Sequence, residues 1–231
     1  MPTLIAVLFF LFISTASFST YSSAAWIEIR DKYLFDRETK WNCFYRTTTS
    51  VKGLNPAVWR YDQYGNFLLA GLNFNCKGCL CYTFDHRYPI SAMGNIKPTA
   101  KLIDLMSSIH NCQALAFRTN ALKGSNEDQD IKSIVHRFGC DRKTMKLFEA
   151  KNNMGARAIE KYYLSSERIE QIHQYYINYL NGKDFLDPKT VNQSKNEYFK
   201  LLNKNAGIIE NKIKQEYNEI INGDETDANN K

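Results

Sequence analysis

Apolar residues recur at helical spacing in the C-terminal part of the chain. Ile169, Ile172, Tyr176, Tyr179 and Leu180 form one stripe, and Ile209, Ile213, Tyr217 and Ile220 form another. Residues three and four apart share a face of an α-helix, so each stripe predicts a helix with one face on a core. Ser166 is placed to cap the first helix, and Gly182 and Pro188 punctuate the loop that follows it. A shorter pattern lies at Leu102, Ile103, Leu105, Met106 and Ile109. It predicts a short helix inside residues 95–110, a stretch that reads as an insertion.

Earlier segments have a different rhythm. Residues 47–53, TTTSVKG, are β-branched and end in a turn, and Gly65-Asn66 marks a second turn before a strand over Phe67–Leu72. Pro89 ends any strand that runs through residues 76–91. Asn111 to Gly124 begins extended and becomes helical. Residues 26–60 are rich in aromatics (Trp26, Tyr33, Phe35, Trp41, Phe44, Tyr45, Trp59) without a clear period, and read as β or irregular. The polar end, residues 223–231, is expected to be disordered.

The first 25 residues carry no charged side chain, and Leu4–Ile13 is an unbroken apolar run. That run is shorter than the roughly 20 residues needed to span a bilayer. Small residues follow, with Ser22 and Ala24 before a cleavage point at Ala25, the pattern of a secretory signal peptide. The mature chain is then expected to have no membrane span and to enter the secretory pathway, with secretion, a lysosome-like compartment or a complex plastid as destinations.

Composition narrows the class further. The chain has 231 residues, 44% of them hydrophobic, with 11 Gly and 5 Pro. This excludes a collagen-like or Pro/Gly-rich disordered chain. Thirty Lys and Arg against 24 Asp and Glu give a formal charge of +6, which permits an anionic partner without naming one. The six cysteines, Cys43, Cys76, Cys79, Cys81, Cys112 and Cys140, all follow the signal segment. Cys76, Cys79, Cys81 and Cys140 are read as structural. An oxidising lumen favours disulfides, and a structural Zn²⁺ completed by Cys140 or Cys112 is the alternative.

The chemistry concentrates in residues 76–124. Asp85-His86 places a carboxylate beside an imidazole, followed by Pro89, Ser91 and Gly94. Asn111, Gln113 and Leu115 come next, then Arg118, Asn120 and Lys123. Asn120 and Lys123 share a helix face. Neighbours on a strand point to opposite faces, so Asp85 and His86 can serve one site only if the backbone bends.

Taken together, Asp85-His86, Pro89, Ser91, Gly94, Asn111, Gln113, Leu115, Asn120 and Lys123 resemble the HNH endonuclease family. The run Gly78-Cys79-Leu80-Cys81-Tyr82 before Asp85, together with Arg118 and Cys140, is similar to a branch found in plants and algae. The resemblance covers residues 56–145. It departs from the family in Met93-Gly94, where two glycines are usual, and in the longer link that follows. Ala116 and Thr119 stand where many zinc-containing members carry a second cysteine pair.

The resemblance implies an α+β chain with a ββα-metal core, an N-terminal β or irregular segment and C-terminal helices. It divides the chain into a signal peptide (1–24), an N-terminal segment (25–55), a nuclease-like domain (56–145), a helical region (146–222) and a tail (223–231). It implies hydrolysis of phosphodiester bonds with His86 as general base, Asn111 orienting it, and one divalent ion, Mg²⁺, held by Asp85 and Asn120. Arg118 and Lys123 would contact the phosphate of a nucleic acid, DNA in preference to RNA. An imidazole with its ordinary pKa near 6.5 suits the base. The alternatives are a non-catalytic nucleic-acid-binding module and a secreted interaction protein that keep the same fold.

Overall fold

A computed structural model describes residues 31–72, 79–94, 96–124, 140–182 and 195–228. The expected signal peptide, Cys76 and Gly78 lie outside the described residues. The chain is α+β, with helices around two small antiparallel sheets. Among the described residues no helix is long and apolar enough to cross a membrane.

Helix α1 spans Arg37–Thr47, where the sequence pattern suggested β or irregular structure. Its start is well signalled, because the Asp36 carboxylate accepts the Thr39 N–H at 2.6 Å. Its period is hidden because Trp41, Cys43, Phe44, Tyr45, Arg46 and Thr47 are all buried. A helix enclosed on nearly every side has no polar face to betray its spacing.

Strands β1 (Thr49–Ser50), β2 (Trp59–Tyr61) and β3 (Phe67–Leu69) form a three-stranded antiparallel sheet in that order. The β2–β3 turn contains Gly65 at φ +85°, a conformation glycine adopts without steric cost. Asp62 lashes this turn to the second sheet. Its fully buried carboxylate accepts N–H bonds from Tyr64, Asn66 and Ala116.

The second sheet is a hairpin of β4 (Tyr82–His86) and β5 (Cys112–Ala116), in the register Asp85 opposite Gln113 and His86 opposite Cys112. The link between them holds a 3₁₀ turn at Ile90–Met93, helix α2 (Ala100–Met106) and a second 3₁₀ turn at Ile109–Asn111. Thus the inserted segment does carry the short helix. Helix α3 (Phe117–Lys123) follows β5 without a loop and packs on both strands.

Helices α4 (Arg142–Asn152), α5 (Ala156–Tyr163), α6 (Ser166–Asn181) and α7 (Lys195–Ala228) complete the chain. The cap of α6 is Ser165, which accepts the Arg168 N–H, rather than Ser166. Helix α7 continues as far as Ala228, through most of the tail expected to be disordered.

One hydrophobic cluster joins Phe44 and Tyr45 of α1, Trp59 and Leu68 of the first sheet, Tyr82 and Ala114 of the hairpin, and Ile159, Ile172 and Tyr179 of the C-terminal helices. A second joins Tyr33, Tyr88, Met93, Leu102 and Met106 to Ile213 of α7. The insertion is therefore clamped between the hairpin and the last helix. Thr99 donates to Glu216, and Lys101 pairs with the same carboxylate.

Two disulfides lie among the described residues, Cys43–Cys112 and Cys79–Cys140. Cys81 is disulfide-bonded as well. The first ties α1 to β5 and the second ties the start of the hairpin region to the start of α4. Sulfurs bonded to each other offer no thiolate to zinc.

Candidate active site

The hairpin separates the two residues that stand side by side in the sequence. By the pleat, Asp85 shares a face with Gln113, and His86 shares the other with Phe84 and Cys112.

On the first face lies helix α3. Lys123, fully buried, sets its ammonium 2.9 Å from Asp85 Oδ2 and donates to the His86 main-chain oxygen at 3.1 Å. Gln113 Nε2 donates to the same carboxylate at 2.9 Å, and Gln63 Nε2 donates to Gln113 Oε1 at 2.9 Å. Asn120 lies one helical turn before Lys123, half-buried, on the same side of α3. Arg118 is exposed at the start of that helix.

On the opposite face the ring of His86 is 8% exposed. Phe35 stacks on it with centroids 4.1 Å apart and an interplanar angle of 18°. Its Nε2 lies 2.8 Å from the Tyr33 main-chain oxygen. Burial is the main force on its pKa and lowers it, the bond to Tyr33 acts in the opposite sense, and the Lys123 cation adds to the fall. The result is about 4, well below the ordinary value near 6.5 that the sequence reading assumed. The imidazole is neutral at neutral pH, so its lone pair is available, but its basicity is reduced.

Asn111 does not touch the imidazole. Its main-chain oxygen accepts the Arg87 N–H at 2.7 Å, and its side-chain oxygen accepts the Tyr88 N–H at 2.8 Å. Its amide nitrogen donates to Met106 O at 2.9 Å. Asn111 thus pins the two residues that follow His86, acting on the base through the backbone.

Of the residues expected to form the site, the structure brings together Asp85, Lys123 and the His86 main chain. It places Asn120 on the same helix face and His86's ring on the far side of the strand. Lys123, expected at the phosphate, is an internal counter-charge; Arg118 keeps the exposure that such a contact needs. Tyr33, Phe35 and Gln63 are additions that spacing does not reveal. The only signal for the first two is the density of aromatics before Trp41.

Among the described residues no group of three His, Cys, Asp or Glu is placed to hold a metal ion. The donors available for a cation are hard oxygens, the Asp85 carboxylate and the Asn120 amide, a chemistry suited to Mg²⁺ completed by water and phosphate. Asp85 already faces a positive charge, so its surroundings suit a cation, and an ion bound there competes with Lys123.

Compared with protein families, curated proteins and solved structures, the chain finds no match.

Proposed function

We propose that the chain is a metal-dependent endonuclease that hydrolyses phosphodiester bonds of nucleic acid, DNA in preference to RNA. The observation behind this reading is the strand–strand–helix unit β4–β5–α3. It sets Asp85 beneath α3, carries Asn120 on that helix, and holds His86 at the end of the hairpin with Asn111 bonded to the residues that follow it.

In this reading His86 accepts a proton from the attacking water, and its neutral state at physiological pH keeps it ready to do so. Asp85 and Asn120 would hold a divalent ion, which supplies electrostatic stabilisation for charge developing on the phosphate. Lys123 holds the Asp85 carboxylate in place from within the fold. Arg118, exposed at the start of α3, meets the nucleic-acid backbone. Asn111 fixes the turn after His86.

The enclosure of His86 by Phe35 and Tyr33 favours a second reading, a nucleic-acid-binding module that does not cleave. A nicking assay on supercoiled plasmid separates the two. The nuclease reading expects cleavage with Mg²⁺ that stops with chelator. Plasmid binding without nicking, at any Mg²⁺ concentration, supports the second.

A further inference from the structure

The segment that reaches His86 comes from outside the stretch that carries the family resemblance. A carbonyl oxygen can only accept a hydrogen bond. The contact between Tyr33 O and His86 Nε2 therefore puts the ring proton on Nε2 and leaves the lone pair on Nδ1. Phe35, two residues on, covers a face of the same ring and fixes its plane.

The segment is itself anchored at both ends. The Tyr33 side chain is fully buried against Tyr88, Met93, Leu102, Met106 and Ile213. Asp36 caps α1, and α1 is joined by Cys43–Cys112 to the β5 residue that lies opposite His86. The carbonyl, the stacked ring and the histidine are thus held in one frame by a covalent bond, a helix cap and a packed aromatic.

We propose that Tyr33–Phe35 is a positioning clamp for the base: the Tyr33 carbonyl fixes the tautomer, the Phe35 ring fixes the plane, and Nδ1 is the nitrogen that takes the proton. This rests on the nuclease reading above. In the step, an O–H bond of water breaks and Nδ1–H forms. The water oxygen bonds to phosphorus as the bond to the leaving oxygen breaks, and the leaving oxygen takes a proton from solvent. The carbonyl on Nε2–H keeps its hydrogen bond throughout and steadies the positive ring, as an acceptor behind a catalytic histidine does.

The test uses the full mature chain, labelled with ¹⁵N in histidine. A two-bond ¹⁵N–¹H correlation at neutral pH is expected to show His86 as the Nε2–H tautomer. In Phe35→Ala the tautomers should mix, and kcat should fall at least about tenfold with KM little changed, the signature of lost orientation. Phe35→Tyr, which keeps the flat ring, should restore both. Should Phe35→Ala fail to fold, Phe35→Leu keeps apolar volume without the ring and takes its place. A wild-type chain that cleaves but carries the Nδ1–H tautomer overturns the clamp alone. A Phe35 variant that cleaves faster than wild type also overturns it, because the segment would then be a cover. A wild-type chain that shows Nε2–H yet never cleaves overturns the nuclease reading alone.

Discussion

Lys123 and Asp85 are the pair on which the site's electrostatics turn. The lysine side chain is 1% exposed and the carboxylate 13%, so neither charge is screened well by water. Removing one partner leaves the other buried without compensation, which costs about 3 kcal/mol. Lys123→Met should destabilise the fold by that amount in urea unfolding. Lys123→Met with Asp85→Leu should recover much of it, because the stranded carboxylate is gone. Equal losses in the single and double variants would contradict the coupling. His86 makes a second residue-scale prediction. Its folded pKa of about 4 lies below the unfolded value of about 6.5. Between these values the unfolded chain binds the proton and the folded chain does not. The stability from this group is complete above pH 6.5 and is lost as pH falls toward 4, up to about 3 kcal/mol at 1.36 kcal/mol per pKa unit. His86→Asn should flatten the dependence of melting temperature on pH in that window. A slope equal to wild type would mean that His86 is not buried as a neutral ring.

At the scale of elements, helix α1 links the hairpin to the rest of the molecule, and Cys43–Cys112 is its fastening. The two cysteines are 69 residues apart, and closing a loop of that length stabilises by about 4 kcal/mol in the chain-entropy account. Replacing both by Ala should lower stability by 2–4 kcal/mol, roughly the typical range. It should also loosen α1, read as faster amide exchange over residues 37–47 than over α6. Uniform acceleration across both helices would count against a local fastening. The elements differ in how legible they were. Helices α2, α6 and α7 each pack one side on a core, so Leu102 and Met106, Ile172 and Tyr179, and Ile213 announced them by spacing. Helix α1 buries residues around most of its circumference and left no such pattern. The turn from β5 into α3 was visible in Asn111–Gly124, yet the inward course of Lys123 was not. A lysine at helical spacing reads as solvated, and only the hairpin beneath α3 gives it a buried carboxylate to meet. The clamp on His86 was invisible for a different reason. Tyr33 acts through its main chain and Phe35 through a stack, and neither leaves a mark in the order of residues.

For the whole molecule, one core runs from α1 through both sheets to α6, and the inserted helix α2 is fastened to α7 by Thr99, Lys101 and Glu216. The hairpin that carries Asp85 and His86 is therefore supported from the N-terminal segment on one face and from α3 on the other. This frame holds the groups of the proposed endonuclease in fixed relation, and it makes single substitutions informative. The most direct measurement is single-turnover cleavage of plasmid DNA in Mg²⁺ by wild type and His86→Ala, with melting temperatures taken on the same preparations. The account predicts that a folded His86→Ala protein cleaves about 10²–10⁴-fold more slowly, the usual contribution of a general base, while its affinity for DNA changes little. A folded His86→Ala protein that cleaves at the wild-type rate would contradict it.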